Sequence, residues 1–126
     1  MTPSPPPIKD KVILCIEPQG EICLLLSMIL HRDDLLVRHV RKLDEAADFF
    51  TKQPPALVVI ENTFAENDVA NPIAEIKQKA PESKILMVSS IDSEVAEKAS
   101  SAGVDLFLTR PFSKTALIKA TLSMLE

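Results

Sequence analysis

Four short apolar runs in this sequence each lead to a polar side chain that is capable of chemistry. Glu17, Glu61 and Ser89 directly follow three of these runs, and Arg110 lies just beyond the fourth. If the runs are parallel strands, their carboxyl ends meet at one edge of a sheet, where ligands bind in open α/β folds. A guanidinium there can hold a carboxylate through two hydrogen bonds. These four residues are therefore the candidate functional site.

The elements that position these residues are predicted from the pattern of apolar residues. Runs of four to six Val, Ile, Leu and Met, separated by amphipathic stretches of helix length, are typical of buried parallel strands. Strands are predicted at residues 11–16, 35–40, 56–60, 84–88 and 104–108, and helices at about 20–31, 43–52, 72–79, 92–103 and 113–125. Arg38 and His39 interrupt the second strand, as expected at a sheet edge. Five such βα units predict a three-layer, doubly wound α/β domain.

Length and composition narrow the class of protein. The 126 residues suit one domain, predicted at 11–126 after a flexible, proline-rich tail at 1–10. A net charge of −4 and the absence of a clustered basic face argue against nucleic-acid binding. No apolar stretch is long enough to span a membrane and no secretory signal is visible, so a cytoplasmic location is expected. Cys15 and Cys23 belong to no metal or redox motif and are expected to be reduced core thiols.

Several enzyme classes find no support in the residues. Neither His31 nor His39 is placed by the sequence to form a hydrolytic triad with a nucleophile and a carboxylate. Gly20 and Gly103 are the only glycines, so a glycine-rich nucleotide loop is absent. The sequence therefore predicts a protein that is not an enzyme and that holds no cofactor.

Several stretches resemble the receiver domain of two-component response regulators. Residues 13–19 resemble its first strand and acidic pair, 56–61 its third strand, and 84–90 its fourth strand with a hydroxyl switch residue. The most specific likeness is in 103–113, which resembles the stretch that carries the switch aromatic, a lysine and a proline. The resemblance covers about residues 11–125. It implies a flavodoxin-like, five-stranded parallel sheet in the order 2-1-3-4-5.

The resemblance also assigns positions within the site. It places Glu17 and Pro18 at the acidic pair and Glu61 at the phosphoacceptor aspartate. The switch positions of the family correspond to Ser89, Phe107, Arg110 and Pro111.

Three of these positions depart from the pattern that Mg²⁺-dependent phosphorylation needs. Pro18 has no side-chain ligand, and the extra methylene of Glu61 moves its carboxylate by about 1.5 Å relative to aspartate. Arg110 stands where the family has lysine. We therefore expect that Glu61 pairs with Arg110 or Ser89, which replaces the phosphoryl group and its metal. The alternative is a phosphorylation-competent receiver of a phosphorelay with a variant site, and only this alternative requires Mg²⁺.

Simpler interpretations of the same residues remain open. Glu17 and Glu61 can be solvated charges at strand ends, and Arg110 an ordinary surface cation. Ser89 can be a cap or loop hydroxyl, and Phe107 plain packing at the sheet edge.

If the site performs no chemistry, the function lies on a binding surface. The helix predicted at 20–31 has apolar residues around nearly its whole circumference, whereas a helix on a sheet needs only one apolar stripe. The resemblance implies protein partners: a histidine kinase, a phosphotransfer protein or an output domain. It also implies homodimerisation through the face of the fourth helix, fifth strand and fifth helix. The alternative is that the apolar helices are simply well buried.

Overall fold

A computed structural model describes residues 11–30, 35–52, 54–61, 70–89, 97, 100–110 and 112–125. Five strands alternate with helices along the chain. The strands are β1 (Lys11–Ile16), β2 (Leu35–Val40), β3 (Leu57–Glu61), β4 (Lys84–Ser89) and β5 (Leu106–Thr109). The helices are α1 (Glu21–Ile29), α2 (Ala47–Lys52, preceded by the 3₁₀ turn Leu43–Ala46), α3 (Ala70–Lys79) and α4 (Lys114–Leu125). Residues 100–102, just before β5, are also helical.

The strands form one parallel sheet in the order β2-β1-β3-β4-β5. This confirms the predicted fold class and strand order. β1 and β3 are neighbours, with Ile16 opposite Ile60, and the strand order reverses between them. In doubly wound sheets this reversal marks the crevice where ligands bind. The candidate site therefore lies where the fold class predicts it.

Two apolar clusters cover the two faces of the sheet, because alternate side chains of a strand point to opposite faces. One cluster packs Leu14 and Ile16 of β1 with Phe50 of α2 and with Ile73 and Ile76 of α3. The other places residues from β1, β3 and β4 against α1 and α4 through Ile13, Cys15, Ile22, Leu26 and Leu117. The sheet is thus buried between two helical layers, and only its edges reach solvent.

A positive backbone φ at Gly20 starts α1. Its φ is +77°, and a β-carbon at this position would lie 3.3 Å from Cε1 of His39. Both facts favour glycine, since side chains resist this backbone region and the imidazole occupies the space. The turn directs α1 back over β1.

The predicted elements agree with the structure except at their ends. Strand bounds match at β1 and β2 and shift by one or two residues elsewhere. The helix predicted at 20–31 covers Glu21–Ile29, and the helix predicted at 43–52 begins with a 3₁₀ turn. Ser113 caps α4, because its Oγ accepts a hydrogen bond from the Ala116 amide at 3.0 Å. The predicted tail at 1–10, His31, residues 62–69, the predicted start of the fourth helix near residue 92 and Pro111 lie outside the described residues.

Candidate functional site

The backbone brings the four predicted site residues to one edge of the sheet. Glu17 and Glu61 end or follow the neighbouring strands β1 and β3. Ser89 ends β4, and the amide of Arg110 donates a hydrogen bond of 2.9 Å to the Ser89 carbonyl. The side chains, however, fall into two separate groups.

Arg110 and Glu61 form an ion pair across the end of β4. The Arg110 Nη2 lies 2.5 Å from the Glu61 Oε1, with 36% of the arginine side chain and 19% of the glutamate side chain exposed. Such charge-assisted hydrogen bonds are shorter and stronger than neutral ones. The guanidinium also lies 5.6 Å from the ring centroid of Phe112, within cation–π range. One of the two predicted pairings of Glu61 is thus present, and Arg110 is more than a free surface cation.

The Glu17 carboxylate faces the other way and caps α1. Its Oε1 accepts the Ile22 amide at 2.8 Å, and its Oε2 accepts the Cys23 amide at 2.7 Å. An anion at a helix N-terminus satisfies amides that lack partners within the helix and interacts favourably with its dipole. Glu17 is only 2% exposed, so its interpretation as a solvated charge is wrong. No hydrogen bond or ion pair within the described residues joins Glu17 to Glu61 or Arg110.

His39 supports the same turn from the neighbouring strand. Its Nε2 lies 2.7 Å from the Glu17 carbonyl oxygen, and its ring packs beside Gly20. His39 lies in the edge strand β2, as the sequence predicted, and its side chain there is half-buried. Nothing in the residue spacing reveals this contact, because it arises only when β2 pairs with β1.

The remaining predicted positions have different environments. Ser89 is 4% exposed, so its side chain is enclosed at the sheet edge. Phe107 is half-buried and packs against the cluster on the α2 and α3 side. Pro18 is half-buried in the turn after Glu17 and supplies no side-chain oxygen.

Cys23 is a chemically notable residue that the sequence did not single out. A hydrogen bond from the Cys15 thiol, aided by the Ser27 hydroxyl and by charge on His39, lowers the pKa of Cys23 to about 6. A hydrogen bond with Cys23, together with burial, raises the pKa of Cys15 well above its usual value. Cys23 packs against the apolar cluster that contains Cys15 because α1 covers this face of the sheet, and the spacing of the two cysteines in the sequence matches no redox motif.

The part of the chain that the structure describes contains no cluster of metal-ligating side chains and no helix that could span a membrane. There, no three His, Cys, Asp or Glu side chains are arranged to share a metal ion. None of the described helices has the length and apolar content needed to cross a membrane.

The sequence matches the family described as the response regulator receiver domain over residues 13–122. The chain belongs to this family. Receiver domains are signalling domains that act through protein partners such as kinases or output domains, and the predicted resemblance is therefore confirmed.

Individual relatives support this membership. The chemotaxis protein CheY of Halobacterium salinarum is 27% identical over 111 residues, which cover 87% of this chain and 92% of that protein. A response regulator structure from Thermotoga maritima superposes with a TM-score of 0.81 at 19% identity, covering 91% of this chain and 97% of the other.

A response regulator structure from Burkholderia pseudomallei superposes with a TM-score of 0.74 at 21% identity, covering 93% of this receiver domain and 67% of the other chain. That protein carries a phosphorylated aspartic acid and a calcium ion. At such identities these structural likenesses establish the fold alone.

Proposed function

We propose that this receiver domain signals by protein–protein contact, in a conformation that the Glu61–Arg110 ion pair holds, and without Mg²⁺-dependent phosphorylation of an aspartate. The observation that carries the proposal is the 2.5 Å contact between Arg110 and Glu61. By resemblance, Glu61 occupies the acceptor position and Arg110 the position of the family's lysine.

The ion pair supplies a fixed charge arrangement where the family uses a phosphoryl group. Glu61 is the last residue of β3 and Arg110 follows β5, so their contact links two strands that β4 separates. The amide of Arg110 is bonded to the Ser89 carbonyl on β4, which ties all three strand ends together. A permanent side-chain pair of this kind stabilises one conformation with no ligand required.

The carboxylates that Mg²⁺ would need as ligands are bonded to other groups of the protein. This ion needs near-ideal octahedral oxygen geometry and usually takes one or two protein carboxylates. Both oxygens of Glu17 already accept α1 amides, Pro18 has no ligand atom, and Glu61 is bonded to a cation. The residues present therefore do not fit the metal that the family implies. Phosphoryl transfer depends on positioning and charge stabilisation, and both contributions are weakened here.

A protein partner needs an exposed surface, and α1 provides one. Leu24 and Met28 are each 62% exposed and lie one turn apart, whereas Ile22 and Leu26 face the core. Exposed apolar side chains at this spacing can contact a partner helix or sheet edge. We propose that α1 contacts a histidine kinase, a phosphotransfer protein or an output domain. Dimerisation through β5 and the flanking helices is the other proposed contact.

An NMR titration tests the loss of the metal site. Backbone amide spectra of the full chain are recorded with millimolar Mg²⁺, and we expect no saturable shifts at Glu17, Glu61 or Ser89. The control is a Pro18→Asp, Arg110→Lys double variant, which supplies a carboxylate and weakens the hold on Glu61, and which should respond more strongly. Saturable shifts centred on these residues in the unmodified protein would contradict the proposal and favour the phosphorylation-competent alternative.

A second test addresses the role of the ion pair. Glu61→Gln keeps the size of the side chain and removes its charge, so it should change the conformation around β4 and β5 and alter partner binding. If neither stability nor partner binding changes, the pair does not hold the signalling conformation.

A further inference from the structure

The strand that leads to Arg110, β5, is the shortest strand of the described sheet. It is an edge strand of four residues, and its one neighbour in the described sheet is β4. All four side chains of β5 are half-buried, whereas those of β4 after Lys84 are buried. A short strand with one neighbour depends on the contacts at its two ends for its position.

At the amino end of β5, a lysine of α3 holds the residue that precedes the strand. The Lys77 Nζ lies 3.2 Å from the Asp105 Oδ2 and also donates a hydrogen bond of 3.2 Å to the Ser83 carbonyl. The same Asp105 oxygen accepts the Ile85 amide at 2.8 Å, and the Asp105 amide donates to the Ile85 carbonyl at 2.9 Å. Lys77 therefore ties α3 to the points where β4 and β5 begin.

Packing limits the positions that the Lys77 side chain can take. Ile73 and Ile76 anchor the same helix in the core, where both are fully buried. The aliphatic part of Lys77 lies over the turn at Gly103, whose φ is +123° and where a β-carbon would lie 3.1 Å from the Lys77 Cγ. With 28% of its side chain exposed, Lys77 loses less conformational entropy on pairing than a fully exposed lysine does.

Two ion pairs therefore hold the two ends of β5. Asp105 precedes the strand and is paired with Lys77, and Arg110 follows it and is paired with Glu61. At about 3.3 Å per residue, Asp105 and Arg110 lie about 16 Å apart. Because a rigid strand carries a displacement from one end to the other, the first pair can influence the second.

We propose that Lys77 is a positioning residue of the Glu61–Arg110 pair: by holding Asp105 it fixes β5 so that Arg110 reaches Glu61. The inference rests on the proposed function, since it concerns how the pair that holds the signalling conformation is kept closed. A change at the amino edge of the sheet that neutralises Lys77 would then open the pair at the carboxyl edge.

The test is NMR of the full chain with Lys77→Met, which keeps an unbranched side chain and removes its charge. We expect the guanidinium protons of Arg110 to exchange with water at least about threefold faster, because the partly exposed pair opens more often. The matched control is Lys79→Met, since Lys79 lies in the same helix and pairs with Glu75 at 3.4 Å. It should leave the Arg110 signals unchanged. Unchanged Arg110 signals in Lys77→Met would overturn the proposal.

Two further variants separate the charge of Lys77 from its packing. Lys77→Arg keeps the charge and should restore the exchange rate of the unmodified protein. Asp105→Asn keeps an acceptor for the Ile85 amide and removes the charge that pairs with Lys77, so it should reproduce the effect of Lys77→Met. An effect of Lys77→Arg as large as that of Lys77→Met would show that the lysine acts through packing alone and would overturn the proposal.

A double-mutant cycle in two backgrounds distinguishes this inference from the proposed function. The coupling between Glu61→Gln and Arg110→Gln is measured by urea unfolding in the unmodified protein and in Lys77→Met. In Lys77→Met it should fall to less than about half. An unchanged coupling in that background would overturn this inference alone. The absence of coupling in the unmodified protein would overturn the proposed function as well, because there would be no pair to position.

Discussion

The two glutamates at the carboxyl edge of the sheet have opposite environments, although each stands at the end of a buried strand. Glu17 is buried and bonded to the backbone of α1, whereas Glu61 is partly exposed and bonded to the side chain of Arg110. Glu17 is part of the N-terminal cap of α1. Glu61 belongs to a pair of side chains, and replacing it leaves no backbone amide of the described residues without an acceptor. Equivalent positions in the sheet therefore do not give equivalent environments, since one carboxylate is bonded to backbone amides and the other to a guanidinium.

The largest loss of stability is expected when the buried carboxylate of Glu17 is removed. Glu17→Ala leaves the amides of Ile22 and Cys23 without their acceptor, so the free energy of unfolding should fall by about 2–3 kcal/mol. Urea unfolding measures this. Glu17→Gln is the matched control, since it keeps the size and one acceptor and should cost clearly less. A loss in Glu17→Ala as small as that of an exposed substitution such as Glu21→Ala would contradict the capping role.

The second largest loss of stability is expected at Gly20, in the turn that brings Glu17 to the start of α1. Gly20→Ala forces a side chain into positive φ beside His39, and should lower the free energy of unfolding by about 1–2 kcal/mol. Gly20→Asn is the control, because asparagine tolerates this backbone region better than alanine. Equal stability of Gly20→Ala and the unmodified protein would show that the turn adopts another conformation.

The free energy of unfolding should depend on pH through Cys23, whose amide is bonded to Glu17. The pKa of Cys23 is lowered from 9.0 to about 6 in the folded state, so its thiolate stabilises the fold fully above pH 9, and this contribution is lost as the pH falls through about 6. Between pH 6 and pH 8 the free energy of unfolding should rise relative to Cys23→Ser by about 1 kcal/mol, after allowance for solvent screening of a half-exposed group. Parallel urea titrations under reducing conditions measure the difference. The same slope in both proteins would refute the lowered pKa.

The smallest effect on stability is expected at the ion pair. Because both side chains are partly exposed, Glu61→Gln and Arg110→Gln should each lower the free energy of unfolding by about 0.5–1 kcal/mol. A double-mutant cycle should show that the two losses are not additive and that the coupling weakens at high salt. Additive losses would mean that the contact does not persist in solution.

The elements of the fold were predictable because their signals are local. Apolar runs predicted the strands, and amphipathic stretches of helix length between them predicted the helices. The strand order came from the family resemblance and not from the residues alone. The pairing of Glu61 with Arg110 followed from opposite charges at strand ends that the sheet brings together.

The role of Glu17 was not predictable from residue type. A carboxylate after a strand suits a metal site and a helix cap equally well. The choice depends on the backbone turn at Gly20, which brings the α1 amides within 2.8 Å. The environment of Cys23 was missed for a similar reason, since it depends on the packing of α1 on the sheet. Local sequence patterns predict the elements themselves, but they do not predict the contacts between elements.

We propose that the Glu61 site accepts no phosphoryl group. The most direct measurement is the intact mass of the full chain after incubation with acetyl phosphate and Mg²⁺, beside a phosphorylatable receiver as a positive control. We expect an unchanged mass for this protein while the control gains a phosphate. A phosphate adduct that maps to the edge formed by Glu17, Glu61, Ser89 and Arg110 would contradict it, and would make this chain a working phosphorylation switch.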